Sequence, residues 1–270
     1  MKVKPSQLKE RKTKDRTPPT VLQPAPTGAS GALASPSLAP IDRQRDWPAG
    51  RGDAGHLQAS PITPDASRVL RNTYALLSLT LLFSAGVAAT SVALALPAPG
   101  IMLTLAGYFG LLFAVFKLKN SVWALPAVFG LTGFMGYTLG PLLSQSLALP
   151  GGGQIVTMAL AATGVTFMAL SGWVLTTRRD FSFMGGFLFA GMVIALLCGL
   201  AAIFFQIPAL GLAVSGMVAL LSAGLILHDT SRIIHGGETN YVLATVGLYV
   251  SIFNLFASLL SLFGLGGGEE

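Results

Sequence analysis

Ionisable side chains are concentrated in one short stretch of the chain, residues 228–241. It contains two histidines, one aspartate, one arginine and one glutamate, at His228, Asp229, Arg232, His235 and Glu238. Carboxylate and imidazole groups can exchange protons or bind cations, and a guanidinium can neutralise a carboxylate. These residue types therefore predict an ion-binding site, a proton-binding site or an ion pair.

The spacing of these residues favours an ion pair over a metal site. Asp229 and Arg232 are three apart, so on a helix their side chains can face each other as an ion pair. His228 and His235 are seven apart and share one helix face, but a single nearby acid makes them a poor metal site. A functional role is favoured for Asp229 in particular.

A purely structural interpretation of the same stretch remains open. Gly236-Gly237 is typical of a helix C-cap, and Thr239 or Asn240 can cap the start of the next helix. On this interpretation, the polar residues do no more than end one helix and begin another.

Small and polar residues continue from Asp229 in both directions at helical spacing. Ser215 and Ser222 precede it, and a second stripe follows the loop: Gly247, Ser251, Asn254, Ser258 and Ser261. Such stripes allow two helices to pack closely. Alternatively, they form a narrow polar seam that admits water or an ion towards Asp229.

The elements that carry these residues are long apolar runs. The chain has 270 residues, of which 52% are hydrophobic and only 10% charged, against about 25% charged in a typical soluble protein. A membrane-spanning helix needs about 20 apolar residues. The sequence predicts an all-α, polytopic membrane protein, a bundle of seven transmembrane helices over 73–96, 100–116, 121–143, 154–176, 184–205, 209–227 (with a possible continuation to 234) and 241–265.

The net charge is confined to the first quarter of the chain. Residues 1–72 hold twelve of the seventeen Lys and Arg, whereas residues 73–270 hold five basic and five acidic residues. The first segment is also rich in proline and has almost no apolar periodicity, so it cannot bury enough surface to fold. The sequence predicts a disordered, basic N-terminal tail over 1–66, without a secretory signal, and a membrane domain over 67–270.

The basic residues also predict the orientation of the helices. With seven spans, all seventeen Lys and Arg fall on one side, which the positive-inside rule assigns to the cytoplasm. The N-terminus is then cytoplasmic, and the C-terminal segment 266–270 lies outside.

Several classes of function find no support in the sequence. It contains no phosphate loop, no GxGxxG, no HExxH and no serine-nucleophile elbow, so we expect neither an enzyme nor a cofactor. Its single cysteine, Cys198, excludes a disulfide scaffold. The basic tail lacks interleaved aromatic residues, so we expect no nucleic-acid binding; attraction to the anionic headgroups of the lipid bilayer is the milder interpretation.

Three stretches carry a resemblance to a known family. The segment from Asp229-Thr-Ser-Arg-Ile-Ile-His-Gly-Gly-Glu-Thr-Asn through Leu248-Tyr-Val-Ser-Ile-Phe-Asn resembles the transmembrane Bax-inhibitor motif family. Gly133-Phe-Met-Gly-Tyr-Thr-Leu-Gly-Pro and Thr176-Thr-Arg-Arg-Asp-Phe-Ser-Phe-Met-Gly-Gly resemble its bacterial YccA-like branch. The resemblance covers about residues 68–266 and implies a seven-helix bundle with a central hairpin of helices six and seven.

The resemblance implies two functions. Members of the bacterial branch restrain the membrane AAA protease FtsH, which implies a protease modulator in a bacterial inner membrane. Other members are pH-sensitive leak pathways for calcium, in which two aspartates share a proton. The first aspartate matches Asp229, but Ser251 stands where the second is expected, and a serine cannot supply a second titrating charge.

The serine favours the protease modulator as the main hypothesis and leaves a proton or calcium leak as the alternative. If Asp229 is not part of a di-acid sensor, then Arg232, Lys117 or Lys119 is expected to hold it as a structural latch.

Overall fold

The computed structural model describes residues 64–266 of the chain. Within them, all regular structure is helical, in seven long helices. These are α1 (Pro64–Ala93), α2 (Ile101–Leu118), α3 (Ala124–Leu147), α4 (Gly152–Thr177), α5 (Gly185–Phe204), α6 (Pro208–Ile234) and α7 (Tyr241–Gly266), with a single 3-10 turn at Ser182–Met184 before α5.

All seven helices are long and apolar enough to cross a membrane, which confirms the predicted fold class. Many large apolar side chains on their outer faces are exposed, among them Leu82, Phe113, Phe187 and Leu220. A water-soluble protein rarely exposes so much contiguous apolar surface. The outer faces therefore suit a lipid environment.

The helix boundaries match the predictions closely, with two differences. Helix α6 does run to Ile234, the longer of the two predicted ends. Helix α1 begins at Pro64, nine residues before its predicted start at 73, so its first residues overlap the predicted tail, and Ala66 is already buried. Proline suits this position because the first turn of a helix does not need its N–H. The remainder of the predicted tail and the C-terminal residues 267–270 lie outside the described residues.

Helix α7 is the central element of the bundle. It packs against α6, α1, α4 and α3, and its apolar side chains, such as Leu248 and Leu260, are fully buried. Tyr249 on the same helix is also buried, and its hydroxyl donates to the carbonyl of Thr132 on α3 at 3.2 Å. The hydroxyl of Ser84 on α1 lies 2.6 Å from it. This hydrogen-bonded chain joins three helices at the core.

Helices α1 and α3 approach closely at two glycines. A Cβ atom on Gly136 would lie 2.5 Å from the backbone oxygen of Ser84, and one on Gly140 would lie 2.1 Å from Oγ of Ser91. No real side chain fits at such distances. Gly136 and Gly140 thus serve packing inside the bundle.

Three loops meet at one end of the bundle, which we call the basic end: α2–α3 (119–123), α4–α5 (178–184) and α6–α7 (235–240). Asn240 donates to the carbonyl of Lys119, and a ring nitrogen of His235 lies 3.1 Å from the carbonyl of Arg178. Every Lys and Arg among residues 73–264 lies at this end, as the loop charges predict. The loops at the opposite end carry no ionisable side chain.

Candidate functional site

The predicted site lies at the basic end, where α6 ends and α7 begins. Helix α6 stops at Ile234, and the chain reverses through Gly236, whose φ of +73° is a left-handed conformation that favours glycine. The side chain of Asn240 then caps α7, because its Oδ1 accepts from the N–H groups of Val242 and Leu243 at 2.9 and 3.4 Å. The structural interpretation of this loop is therefore correct for its two helix ends.

Asp229 lies on the face of α6 that packs against α7. Its side chain is only 16% exposed, and its Oδ1 lies 3.2 Å from Nδ1 of His228. The carboxylate rests against the backbone of α7, because a Cβ atom on Gly247 would lie 3.0 Å from Oδ2. Gly247 thus makes room for the carboxylate between the two helices.

His228, the partner of Asp229, lies on the side of α6 that faces α5. Its Nε2 lies against the first residue of α5, where a Cβ atom on Gly185 would approach to 2.7 Å. The ring is 11% exposed. The pair of His228 and Asp229 is consequently enclosed by α5 on one side and α7 on the other, each with a glycine at the contact.

The structure does not form the predicted pair of Asp229 and Arg232. The guanidinium of Arg232 instead lies 3.4 Å from Oε2 of Glu238 and donates to the carbonyl of Gly237. The physical reason is the sharp turn at Gly236, which brings Glu238 back over the last turn of α6. The other predicted partners, Lys117 and Lys119, do not pair with Asp229 either; among the described residues its side-chain partner is the ring of His228.

Glu238 and His235 tie the loop to its surroundings. Oε1 of Glu238 accepts from the N–H of Asn240 at 3.0 Å, so both carboxylate oxygens have partners. His235 has Nδ1 at 2.9 Å from the carbonyl of Ser231 and Nε2 at 3.1 Å from that of Arg178. His235 therefore bridges the end of α6 and the α4–α5 loop.

Sequence reasoning missed two residues that shape this end of the bundle. Ser231 is fully buried, and its Oγ accepts from the N–H of Phe181 at 2.9 Å. Asp180 accepts from the hydroxyl and the N–H of Ser182, and these hydrogen bonds hold the pKa of its carboxyl below the ordinary value. The Asp-Phe-Ser spacing is a turn signal that could have been noticed. Nothing in the sequence indicates the long-range contact of Ser231.

Ser251 and Asn254 lie on α7, beyond Gly247. Ser251 is buried, and its Oγ donates to the carbonyl of Gly247 at 3.0 Å. Asn254 is half-buried, and its amide makes no side-chain hydrogen bond to any described residue. On α6, Ser222 is fully buried and its Oγ has no partner within the described part of the chain. The predicted seam thus contains polar groups whose hydrogen bonds are incomplete.

The site offers three carboxylates: Asp229 at the helix interface, Glu238 in the α6–α7 loop and Asp180 in the α4–α5 loop. Across residues 64–266, no three His, Cys, Asp or Glu side chains come close enough to share a metal ion. The arrangement can bind a proton at Asp229 or its histidine partner, and it can anchor three loops to one another. The fold and this site define an integral membrane protein of seven helices with a polar cluster at the basic end.

Comparison with known proteins identifies the family. The family model described as "Inhibitor of apoptosis-promoting Bax1" matches residues 66–268. The chain is 53% identical over 197 residues to the "Modulator of FtsH protease YccA" of Escherichia coli K12, covering 73% of this chain and 90% of the relative. It is 53% identical over 206 residues to an uncharacterised protein of Pseudomonas aeruginosa, covering 76% and 93%. The chain belongs to the Bax inhibitor family.

Proposed function

We propose that this protein binds the membrane AAA protease FtsH and restrains its action on other membrane proteins. The observation that supports this most directly is the 53% identity to the Escherichia coli modulator of FtsH over 90% of that relative. A relative named "Inner membrane protein YccA" and the seven apolar helices support a bacterial inner-membrane location. We propose that the protein has no enzymatic activity of its own.

The proposed mechanism has two parts. The helix bundle docks against the transmembrane part of the protease through its outer apolar faces. Residues 1–63 lie outside the described residues, and the sequence predicts that they form a flexible cytoplasmic handle. A flexible chain of this length has an end-to-end distance of about 45 Å, enough to reach a cytosolic protease ring. If FtsH engages the tail but cannot readily extract the bundle from the membrane, this protein acts as a slow substrate that competes with other substrates for the protease.

A reconstituted degradation assay tests this mechanism. FtsH and a membrane-protein substrate are placed in proteoliposomes with the full-length protein or with a variant that lacks residues 1–60. We expect the full-length protein to slow degradation and the truncated variant to lose this effect. Undiminished inhibition by the truncated variant contradicts the role of the tail, and no inhibition by the full-length protein contradicts the proposal as a whole.

A second candidate function is a leak of protons or calcium along the seam at Asp229. It is supported by the half-buried Asp229 carboxylate and by the incompletely bonded Ser222 and Asn254 on the same two helices. Ser251 weakens it, because its hydroxyl is already bonded to the α7 backbone and carries no charge. A single carboxylate is also a poor calcium ligand set, since calcium takes six to eight oxygens.

Flux measurements in liposomes separate the two candidates. If the seam conducts, Asp229→Asn changes the flux of protons or calcium, and Ser251→Asp introduces or sharpens its dependence on pH. A flux no greater than that of empty liposomes, at every pH, removes the leak as a function and leaves the protease modulator.

A further inference from the structure

A cleft of about 690 Å³ opens at the basic end between the α2–α3 turn and the start of α7. This volume lies within the range of about 300–1,000 Å³ that is usual for ligand sites. Neither Asp229 nor the seam residues Ser222, Ser251 and Asn254 line it. It is therefore distinct from the seam at Asp229, although it shares Glu238 and Asn240 with the α6–α7 loop.

The polar wall of the cleft presents hydrogen-bond donors that have no acceptor among residues 64–266. Lys119 is exposed and has no ion-pair partner among residues 66–264. The amide of Asn120 accepts from Asn240 through Oδ1, and its NH2 group donates no hydrogen bond to the described residues. The hydroxyls of Ser121 and Thr239 donate no hydrogen bond to the described part of the chain.

The one acid in the cleft does not offset these donors. Glu238 is paired with Arg232, and its other oxygen accepts from a backbone N–H. The available groups are thus a lysine ammonium, an amide and two hydroxyls, and all four can donate to an anion. Such a set favours a phosphate group.

The rim of the cleft is apolar and faces outward. Val122 is 93% exposed, Trp123 beside it is 67% exposed, and Leu125 and Tyr241 also expose their side chains. Tryptophan and tyrosine are enriched where a membrane protein crosses the boundary between lipid and water. These side chains suit the level of the lipid headgroups, next to a surface that suits acyl chains.

We propose that this cleft binds the phosphate of an anionic phospholipid. Lys119 provides the charge, Asn120, Ser121 and Thr239 donate hydrogen bonds to the phosphate oxygens, and the acyl chains run along Val122 and Leu125. Basic pockets between transmembrane helices are known to hold such headgroups. A free phosphate ion shares the headgroup chemistry but would not use the apolar rim.

Native mass spectrometry of the full-length protein tests this site. The protein is released from micelles that contain phosphatidylglycerol and phosphatidylcholine with identical acyl chains, and the retained lipids are counted. Lys119→Gln is compared with Lys117→Gln, a matched control, because Lys117 is also exposed and unpaired among the described residues but does not line the cleft. A third variant, Lys119→Glu, reverses the charge.

We expect the wild type and Lys117→Gln to retain one phosphatidylglycerol in preference to phosphatidylcholine. Lys119→Gln should bind it about fivefold more weakly, the effect of one basic residue at an anionic surface, and Lys119→Glu more weakly still. Equal losses in the Lys117 and Lys119 variants overturn the proposal, since they indicate diffuse attraction to the surface. Binding of inorganic phosphate that depends on Lys119, without retention of the lipid, overturns it as well.

Discussion

At the scale of single residues, the Asp229 carboxylate is held by its fit against the α7 backbone. A methyl group on Gly247 would lie 3.0 Å from Oδ2, closer than an ordinary van der Waals contact. We expect Gly247→Ala to be less stable by roughly 1 kcal/mol than an unhindered Gly→Ala change in the same hairpin, because the carboxylate must give way to admit the methyl group. Thermal unfolding in detergent measures the change.

Gly216→Ala is the control for this substitution. Gly216 is also in a helix of the hairpin, but a Cβ atom there meets no other atom within 4 Å. The control should unfold at or slightly above the wild-type temperature, since alanine favours helix over glycine. Equal unfolding temperatures of the two variants would contradict a specific contact at Asp229.

The Asp180 carboxyl, in the α4–α5 loop, is expected to make the stability of the protein depend on pH. Its pKa is lowered mainly by the hydrogen bond from the Ser182 hydroxyl, so the folded state favours the charged form. The contribution to stability is therefore present above the pKa of the unfolded chain and is lost as the pH falls through the lower, folded pKa. We expect Ser182→Ala to move the titration of Asp180, followed by NMR in micelles, towards higher pH. An unchanged titration would contradict the assigned cause.

The candidate residues of the site are predictable from the sequence, whereas their ion-pair and packing partners are not. Asp229 and Glu238 were singled out because ionisable residues are rare in this chain. The partner of Arg232 could not be predicted, because it depends on how the chain reverses at Gly236. The role of Gly247 as the contact of Asp229 depends on the register between α6 and α7, and helical spacing alone does not give that register.

At the scale of elements, the close approach of α1 and α3 depends on glycine. A Cβ atom on Gly136 would lie 2.5 Å from a backbone oxygen, which cannot move without shifting α1. We expect Gly136→Ala to lower the free energy of unfolding by roughly 1–3 kcal/mol, as overpacking of a tight core does. Thermal unfolding again provides the measurement.

Gly130 provides the matched control on the same helix. Its nearest neighbour to an added Cβ atom is the end of a leucine side chain at 3.7 Å, an ordinary contact. Gly130→Ala should leave stability nearly unchanged. A Gly136→Ala variant with an unchanged unfolding temperature but altered self-association would contradict this role. It would indicate that Gly136 packs between copies of the chain and not within the bundle.

The helices themselves were predictable because hydropathy and helix breakers determine them locally. The break at Gly151 and the start of α6 at Pro208 follow directly from residue type. The buried hydroxyl chain of Ser84, Tyr249 and Thr132 was not predicted, because its members are far apart in the sequence and come together only through packing.

At the scale of the whole molecule, the distribution of charge predicts the orientation in the membrane. We expect the α4–α5 loop to face the cytoplasm and the α3–α4 loop to face the opposite side. In a Cys198→Ala background, Arg179→Cys should react with an impermeant maleimide only in inverted vesicles, and Ala148→Cys only in intact spheroplasts. The reverse labelling pattern would place the N-terminus outside the cytoplasm and contradict the predicted cytoplasmic location of the N-terminal tail.

The proposed function requires a physical association between this protein and FtsH. A crosslinking pull-down from native membranes measures this association most directly. It compares the full-length protein with the variant that lacks residues 1–60. We predict that both recover the protease, because the bundle provides the docking surface. Recovery by the full-length protein alone would contradict docking through the bundle, and recovery by neither would contradict the proposed function itself.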